Sequence, residues 1–460
     1  MQRFYVQNFG CRATQSDGAA IERQFRERGA EGAVSSDAAE IVVLNTCTVT
    51  ASADRDARAA IRNIHRRNPA CQIVVTGCYA QRAPKEVAEL PGVTRVIGNS
   101  HKHQVAEVVL ERASLRPPLT SNFVPISNLR STTLKTFAST DRILVSDIFA
   151  HTELQAAPVF DAAHERTRPN LKVQDGCDNR CSFCVIPSVR GRSRSLPLSV
   201  IIREINVLVS AGYQEVVISG INLGRWGRDF SNPVRFEDLI REILRSTDLR
   251  KLRISSVEPM DWSHDLIRLM AESPRIAKHT HVPLQSGSDG VLRMMHRKYR
   301  PWHYQAKIEQ LREAMPEAAI GADVMAGFPG ETDSDFEETY RLIEKLPLTY
   351  LHVFTYSARP GTPATALNNH VPVGLARERS QKLRELGREK KLAFMNSFLG
   401  ANVEAITLHG FDNEYTDALS DNFIPIRLTG KHPANRWIHA RIAGIEDDAL
   451  IAHAGYSKAV

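Results

Sequence analysis

No apolar run in these 460 residues approaches the roughly 20 that span a bilayer, and the start, Met1-Gln2-Arg3-Phe4-Tyr5-Val6, lacks a basic stretch followed by an apolar one. A membrane span and a secretion signal are therefore not expected, and a cytoplasmic location is. Cysteine is scarce and odd in number, seven in all, which argues against a disulfide framework and for metal-binding or catalytic thiols. Strong charge of one sign is also missing. A net charge of +7 and a pI near 9.0 permit RNA without requiring it. Basic clusters at Arg190-Gly191-Arg192-Ser193-Arg194, Met294 to Arg300 and Arg384 to Lys391 are candidates to track a phosphate backbone, although such clusters are more often solvated faces. With 42% hydrophobic residues the chain can fill the cores of about two to four domains.

The densest chemistry lies in Asp175-Gly176-Cys177-Asp178-Asn179-Arg180-Cys181-Ser182-Phe183-Cys184. Three thiolates so spaced fold onto one face of a tight loop and hold three corners of an iron-sulfur cube, because soft sulfur suits iron-sulfur clusters. No cysteine follows Cys184, so the fourth iron lacks a protein ligand and is open to a small molecule. A zinc site completed by a histidine is the alternative. Structural zinc sites usually pair two Cys-x2-Cys or Cys/His motifs, whereas only one is present here.

Three earlier cysteines share a different pattern. Phe4 to Gly10 leads to Cys11, Ile41 to Thr46 to Cys47, and Ile73 to Gly77 to Cys78. Each is a short apolar run with a loop leaving it, which reads as a buried strand. Helical patterns at Asp17 to Arg28 and Ala53 to Arg67 separate them, so the segment reads as an open parallel α/β sheet of the doubly wound type. Parallel strands put their C-terminal ends at one edge, where such folds bind ligands. The three cysteines therefore converge on a second cluster with an open iron. Cys71, just before the third strand, belongs at the opposite end and is expected to hold no metal.

Residues 113–168 read as an irregular connection, rich in proline, serine and threonine, with a short strand near 141–150. Strands expected at 215–219, 252–257, 280–284, 319–325 and 351–356, with helices such as 198–210, 236–245, 262–270 and 336–345, make with the strand ahead of Cys177 about six β-α units. That suits a full or partial (β/α) barrel, with its chemistry at the C-terminal ends of the strands. Met325 and Met294-Met295 read as packing. A charged helix over 374–399 follows, then strands at 403–408, 423–428 and 437–443 that suggest a small β-barrel. The expected division is an N-terminal domain over 1–112, a core over 169–399 and a terminal barrel over 400–460.

The Cys177, Cys181, Cys184 spacing resembles the signature of radical S-adenosylmethionine (SAM) enzymes. With Asn8-Phe9-Gly10-Cys11, Asn45-Thr46-Cys47-Thr48-Val49-Thr50, Thr76-Gly77-Cys78-Tyr79-Ala80-Gln81, Ile186-Pro187 and Arg190-Gly191, nearly the whole chain resembles the methylthiotransferases. That resemblance implies two 4Fe-4S clusters facing one cleft, one bound by Cys177, Cys181 and Cys184 and one by Cys11, Cys47 and Cys78. It also implies SAM on the open iron of the first, cleavage of SAM to a 5′-deoxyadenosyl radical, and transfer of a methylthio group from the second. No catalytic side chain beyond the cluster ligands is implied. A SAM pocket is expected from Phe183, Ser219, Gly220, Asn222, Ser256, Glu258, Gln285, Asp323 and Gly327, with Gln285 or Glu258 on ribose hydroxyls.

The family places a TRAM domain, an RNA-binding β-barrel, at the C-terminus. The run Leu351 to Pro363 and the tail Phe411 to Phe423 look most like the branch acting on threonylcarbamoyladenosine at tRNA position 37. The isopentenyladenosine branch, a ribosomal-protein aspartate branch and a non-catalytic iron-sulfur or zinc RNA-binding protein are the alternatives. The implied partners are tRNA and a small electron donor such as flavodoxin or ferredoxin, with the chain a monomer and no membrane involved.

Overall fold

The structure is a computed structural model that describes residues 1–110, 142–151, 154 and 167–454. It divides into two compact units, one running from Met1 to His151 apart from Val49–Ala51, the other comprising the rest.

In the first unit the strands are β1 (Arg3–Asn8), β2 (Glu31–Gly32), β3 (Ile41–Thr46), β4 (Gln72–Gly77), β5 (Val93–Gly98) and β6 (Ile143–Leu144). They form one parallel sheet in the order β2-β1-β3-β4-β5-β6. β3 is buried along its whole length, and its alternation shows why. Val42 and Leu44 pack with Ala57, Ile61 and Ile64 of helix Ala51–Arg67, while Ile41 and Val43 pack with Ile21 and Phe25 of helix Arg12–Glu27. A strand covered on both faces needs an unbroken apolar run. Each such side chain contributes about 1.5–3 kcal/mol on burial. The short strand expected near 141–150 appears as β6 at the sheet edge, and the rest of the irregular connection lies almost wholly outside the described residues.

The second unit begins with β7 (Asn170–Asp175), β8 (Arg194–Ser195), β9 (Glu215–Gly220), β10 (Lys251–Ile254), β11 (His279–His281), β12 (Ala319–Ala326) and β13 (Tyr350–Thr355). They form a four-stranded sheet, β10-β9-β7-β8, and a three-stranded one, β11-β12-β13. A bridge from Leu252 to Ile276 and a bond from Val257 N–H to the His281 carbonyl join the two. Outside β8, which runs antiparallel, the strands are parallel, as the barrel reading expects. Leu171 and Val173, Val216 and Ile218, Leu252 and Ile254, and Ile320, Ala322 and Val324 point into one core with the helices. The alternate positions face inward and are mostly polar: Lys172, Gln174, Glu215, Ser219, Lys251, Arg253, His279, His281, Asp323 and His352. Strands 252–257 and 280–284 are shorter than expected, because the chain leaves the sheet to form the loops at their C-terminal ends.

Helix Val373–Asn396 leads to β14 (Asn402–Phe411), β15 (Tyr415–Ser420), β16 (Pro425–Thr429), β17 (Trp437–Glu446) and β18 (Ala449–Ala454). They close a five-stranded barrel, β14-β15-β16-β18-β17. β15 and β18 are additional to the three strands read from sequence, and Phe423 belongs to a turn, at φ +69°. That turn docks against the N-terminal end of the core strands. The Phe423 ring stacks on His279 at 4.3 Å, with the Arg253 guanidinium 5.5 Å from its centroid. Arg253 also donates to the carbonyls of Asp421 and Ser420 while pairing with Glu215 at 2.6 Å, and both partners of the pair are fully buried. Burial acts to raise the Glu215 carboxyl, but Arg253 beside it holds it below its ordinary value.

Candidate active site

In the first unit Cys11, Cys47 and Cys78 leave the C-terminal ends of three adjacent strands, β1, β3 and β4. The loops are drawn close. Gly10, at φ +93°, lies so near Cys47 that an added Cβ would stand 2.8 Å from its Sγ, and one on Gly77, at φ +96°, would stand 2.4 Å from the Thr46 carbonyl oxygen. Side chains also address the thiols. Asn99 Nδ2 is 3.5 Å from Cys78 Sγ, and Thr14 Oγ1 is 3.5 Å from Cys11 Sγ. Cys11 is exposed and Cys47 and Cys78 are buried. Cys71 sits at the other end of β4, buried with Ile64 and Ile73 in an apolar cluster.

In the second unit Cys177, Cys181 and Cys184 occupy the loop leaving β7, at the C-terminal end where barrel chemistry gathers. Asp175 fixes its first residue. Its carboxylate accepts from Arg190 Nη1 at 2.9 and 3.0 Å, Lys172 Nζ at 2.8 Å and Gly176 N–H at 2.8 Å. Burial acts to raise this carboxyl, but Arg190, Lys172 and Arg194 hold it well below its ordinary range. Gly176, at φ +72°, lets the loop pass Arg192, whose carbonyl oxygen would be 1.9 Å from an added Cβ. The loop is tied down by bonds from Cys177 N–H to the Gly191 carbonyl, Ser182 N–H to the Met295 carbonyl and Ser182 Oγ to the Met294 carbonyl.

Donors converge on these sulfurs too. Asn179 N–H lies 3.4 Å from Cys177 Sγ, Asn222 Nδ2 3.5 Å from the same atom, and Arg297 Nη1 3.3 Å from Cys181 Sγ. Burial pushes the Cys177 thiol up and the Cys184 thiol up to about 12, so thiolates here call for a cation to offset desolvation. Soft sulfurs, three to a set and several of them within reach of hydrogen-bond donors, fit an iron-sulfur cluster with one open iron.

Most of the SAM residues expected from sequence gather around that loop. Asn222 touches Cys177 as above, and its backbone N–H donates to Gln174 Oε1 at 2.7 Å, which ties the Ser219-Gly220 turn to the cysteine loop. Ser219 Oγ and Asn222 Oδ1 are buried without a hydrogen-bond partner, as polar atoms lining a ligand site would be. Glu258, two residues beyond Ser256, pairs with Arg297. Gln285 holds φ +68° and bridges to β12 through its backbone, a strained conformation of the kind that clusters at functional sites. Phe183 meets Phe328, next to Gly327, edge-on at 6.4 Å. Met294, Met295 and Met325 pack into the same apolar patch. Asp323 lies deeper, between His281 and His352.

The basic clusters divide between buried and exposed members. Arg190 and Arg194 are buried around Asp175, Arg297 is buried between Glu258 and Cys181, and Lys390 donates to the carbonyls of Glu344 and Leu346. These cations compensate neighbouring protein groups, whereas Arg192, Lys298, Arg384 and Arg388 of the same clusters are exposed. Arg297 and Gln174, both in contact with the loop, were not singled out from sequence. Arg297 stood in a run whose charge was visible and whose inward direction was not.

Two family descriptions match the chain, "Radical SAM superfamily" over residues 171–343 and "Uncharacterized protein family UPF0004" over residues 3–98. A protein of Aquifex aeolicus named threonylcarbamoyladenosine tRNA methylthiotransferase MtaB is 33% identical over 95% of this chain and 99% of its own length. A Bacillus subtilis protein of the same name is 33% identical over 92% of this chain and 89% of its own. A Thermobifida fusca protein named tRNA-2-methylthio-N(6)-dimethylallyladenosine synthase is 31% identical over 95% and 82%. Among solved structures, the radical SAM methyltransferase TsrM of Kitasatospora setae shares the fold, with a TM-score of 0.56 at 15% identity over 79% of this chain and 76% of that one. With relatives matched nearly end to end and a cysteine triplet in each unit, the chain belongs to the radical SAM methylthiotransferase family of transferases.

Proposed function

We propose that this protein adds a methylthio group to N6-threonylcarbamoyladenosine at position 37 of tRNA. The observation that carries the reading is the near full-length match to relatives bearing that name. Cys177, Cys181 and Cys184 would hold one 4Fe-4S cluster, and Cys11, Cys47 and Cys78 a second. Bound in this way, the clusters and SAM supply electron transfer, radical formation and sulfur delivery, chemistry that no side chain offers.

The chain's own part is to bind, orient and desolvate. Asp175 and Gly176 set the loop; Asn222, Asn179 and Arg297 donate to its sulfurs. Phe183, Ser219, Gly220, Asn222, Ser256, Glu258, Gln285 and Gly327 would line the SAM pocket, with the open hydrogen-bonding atoms of Ser219 and Asn222 meeting its polar groups. The closed C-terminal barrel would act as the TRAM-like contact to the anticodon arm, where base 37 is unstacked and reachable. A small flavodoxin- or ferredoxin-type protein would supply electrons to a cytoplasmic monomer.

Because relatives named for the dimethylallyl nucleoside match almost as well, the test offers both substrates. Anaerobically reconstituted protein is incubated with SAM, a reductant and tRNA carrying either modification, and the nucleosides are analysed by mass spectrometry. Methylthiolation of the threonylcarbamoyl form supports the proposal. Reaction of the dimethylallyl form alone overturns the substrate, and reaction of neither overturns the activity on tRNA.

A further inference from the structure

Three adjacent strands each place one metal-ligating side chain on the inner face of the core barrel. The register sets Asp323 of β12 beside His352 of β13, and His281 of β11 one pair lower, beside Gly321. Gly321 has no Cβ, and the Tyr350 ring lies across it, its hydroxyl 2.7 Å from His279 Nε2. That ring floors the group. His281 and Asp323 are largely buried, and His352 stands at the mouth, its side chain 54% exposed.

The distances have a specific meaning. Asp323 Oδ1 is 3.3 Å from His281 Nε2 and 3.4 Å from His352 Nδ1, and the three ligand atoms all lie within 4.8 Å of one another. Charge-assisted hydrogen bonds close to about 2.7–2.9 Å. Ligands about 2.0–2.1 Å from a tetrahedral zinc stand about 3.3–3.4 Å apart along an edge. Both Asp323 separations therefore match the edge of a coordination tetrahedron and exceed a good ion pair. His281 Nε2 is buried against the Asp323 carboxylate at a separation longer than a well-formed charge-assisted hydrogen bond. Both imidazoles turn a ring nitrogen to the same carboxylate oxygen, an arrangement that a shared cation would bridge.

We propose that His281, Asp323 and His352 form a binding site for one divalent cation of the zinc class, separate from the cysteine ligands. Two imidazoles and one carboxylate supply three ligands and leave a position open toward the barrel interior. That position would take an oxygen donor, a carboxylate or hydroxyl of a molecule entering the barrel. The site stands whichever nucleoside is the substrate.

The test uses the full chain with its iron-sulfur clusters loaded, dialysed anaerobically against micromolar zinc, with zinc and iron measured together by mass spectrometry. The wild type should retain about one zinc per chain, and His352→Ala and Asp323→Asn should retain less than about a tenth of that with iron unchanged. His352→Cys, which replaces one zinc ligand with another, should restore it. Folding is checked by circular dichroism, and His352, being exposed, tolerates substitution. Equal zinc in all variants, no zinc in the wild type, iron lost together with zinc, or no recovery in His352→Cys would each overturn the site.

Discussion

Replacing Asp175 by asparagine removes one negative charge and leaves two buried cations, Lys172 and Arg190, each with a side chain only 2% exposed. In the wild type that carboxylate accepts from both, and from the Gly176 amide immediately ahead of the first cysteine. Breaking a buried pair from one side costs about 3–5 kcal/mol, because the partner's charge stays desolvated and unmatched. Both cations are affected and each keeps other interactions, so about the middle of that range, ~4 kcal/mol, is expected. Expressed as an opening equilibrium, it amounts to roughly a thousandfold. Hydrogen exchange read by mass spectrometry over residues 170–194 should show that loss of protection in Asp175→Asn, with reduced iron in the reconstituted chain. The pair should also resist mild acid. A carboxyl whose folded value is depressed contributes stability that is complete above its unfolded value, about 3.9, and is lost only as pH falls through the lower folded value. Protection within about 1 kcal/mol of wild type, with full iron, would refute the assignment of Asp175 as the anchor of the loop.

Further outcomes follow from other groups. Arg253→Met should destabilise the second unit by up to about 3 kcal/mol in chemical denaturation by removing the nearest cation from the buried Glu215, which keeps Arg168 at 3.6 Å, and adding Glu215→Leu should recover part of it; equal stability of the single and double variants would contradict the pairing. Cys71→Ala should leave the iron content of the reconstituted chain unchanged, since Cys71 lies at the far end of β4 in an apolar cluster, and lost iron would show that it is a ligand. In the iron-free chain the Cys184 thiol is pushed up to about 12 from 9.0 by burial. Its folded-state stability is therefore full below about pH 9 and declines as pH rises from there toward 12. Denaturation of the iron-free protein between pH 8 and 11, against Cys184→Ala as the control, should show this slope above about pH 9, and an identical profile in the variant would count against it.

How much of this was legible in the sequence depends on the range of the signal. The cysteine loop and the three strand-end cysteines were readable because a strand and the loop leaving it are neighbours in sequence, and an apolar run such as Ile41 to Leu44 admits few other readings. The helices at 198–210 and 236–245 were fixed by periodicity in the same way. β8 escaped because two residues carry no period, and β15, Tyr415–Ser420, because Asp417 and the turn residues around it mask its alternation. Phe423 read as the start of a strand, yet the next barrel strand begins at Pro425 and the ring stacks on His279, a tertiary contact with no local trace. Arg190, Arg194 and Arg297 showed their charge but not their direction. Whether a guanidinium faces solvent or a buried carboxylate is decided by partners far along the chain. His281, Asp323 and His352 were hidden for the same reason, since only strand register brings them together.

The central claim is tested most directly by mass spectrometry of tRNA nucleosides from cells lacking this protein, with and without the gene restored. The account predicts loss of 2-methylthio-N6-threonylcarbamoyladenosine, recovery with the wild-type gene, and no recovery with Cys181→Ala or Cys47→Ala. An unchanged nucleoside in the deletion, or full recovery with either variant, would contradict it.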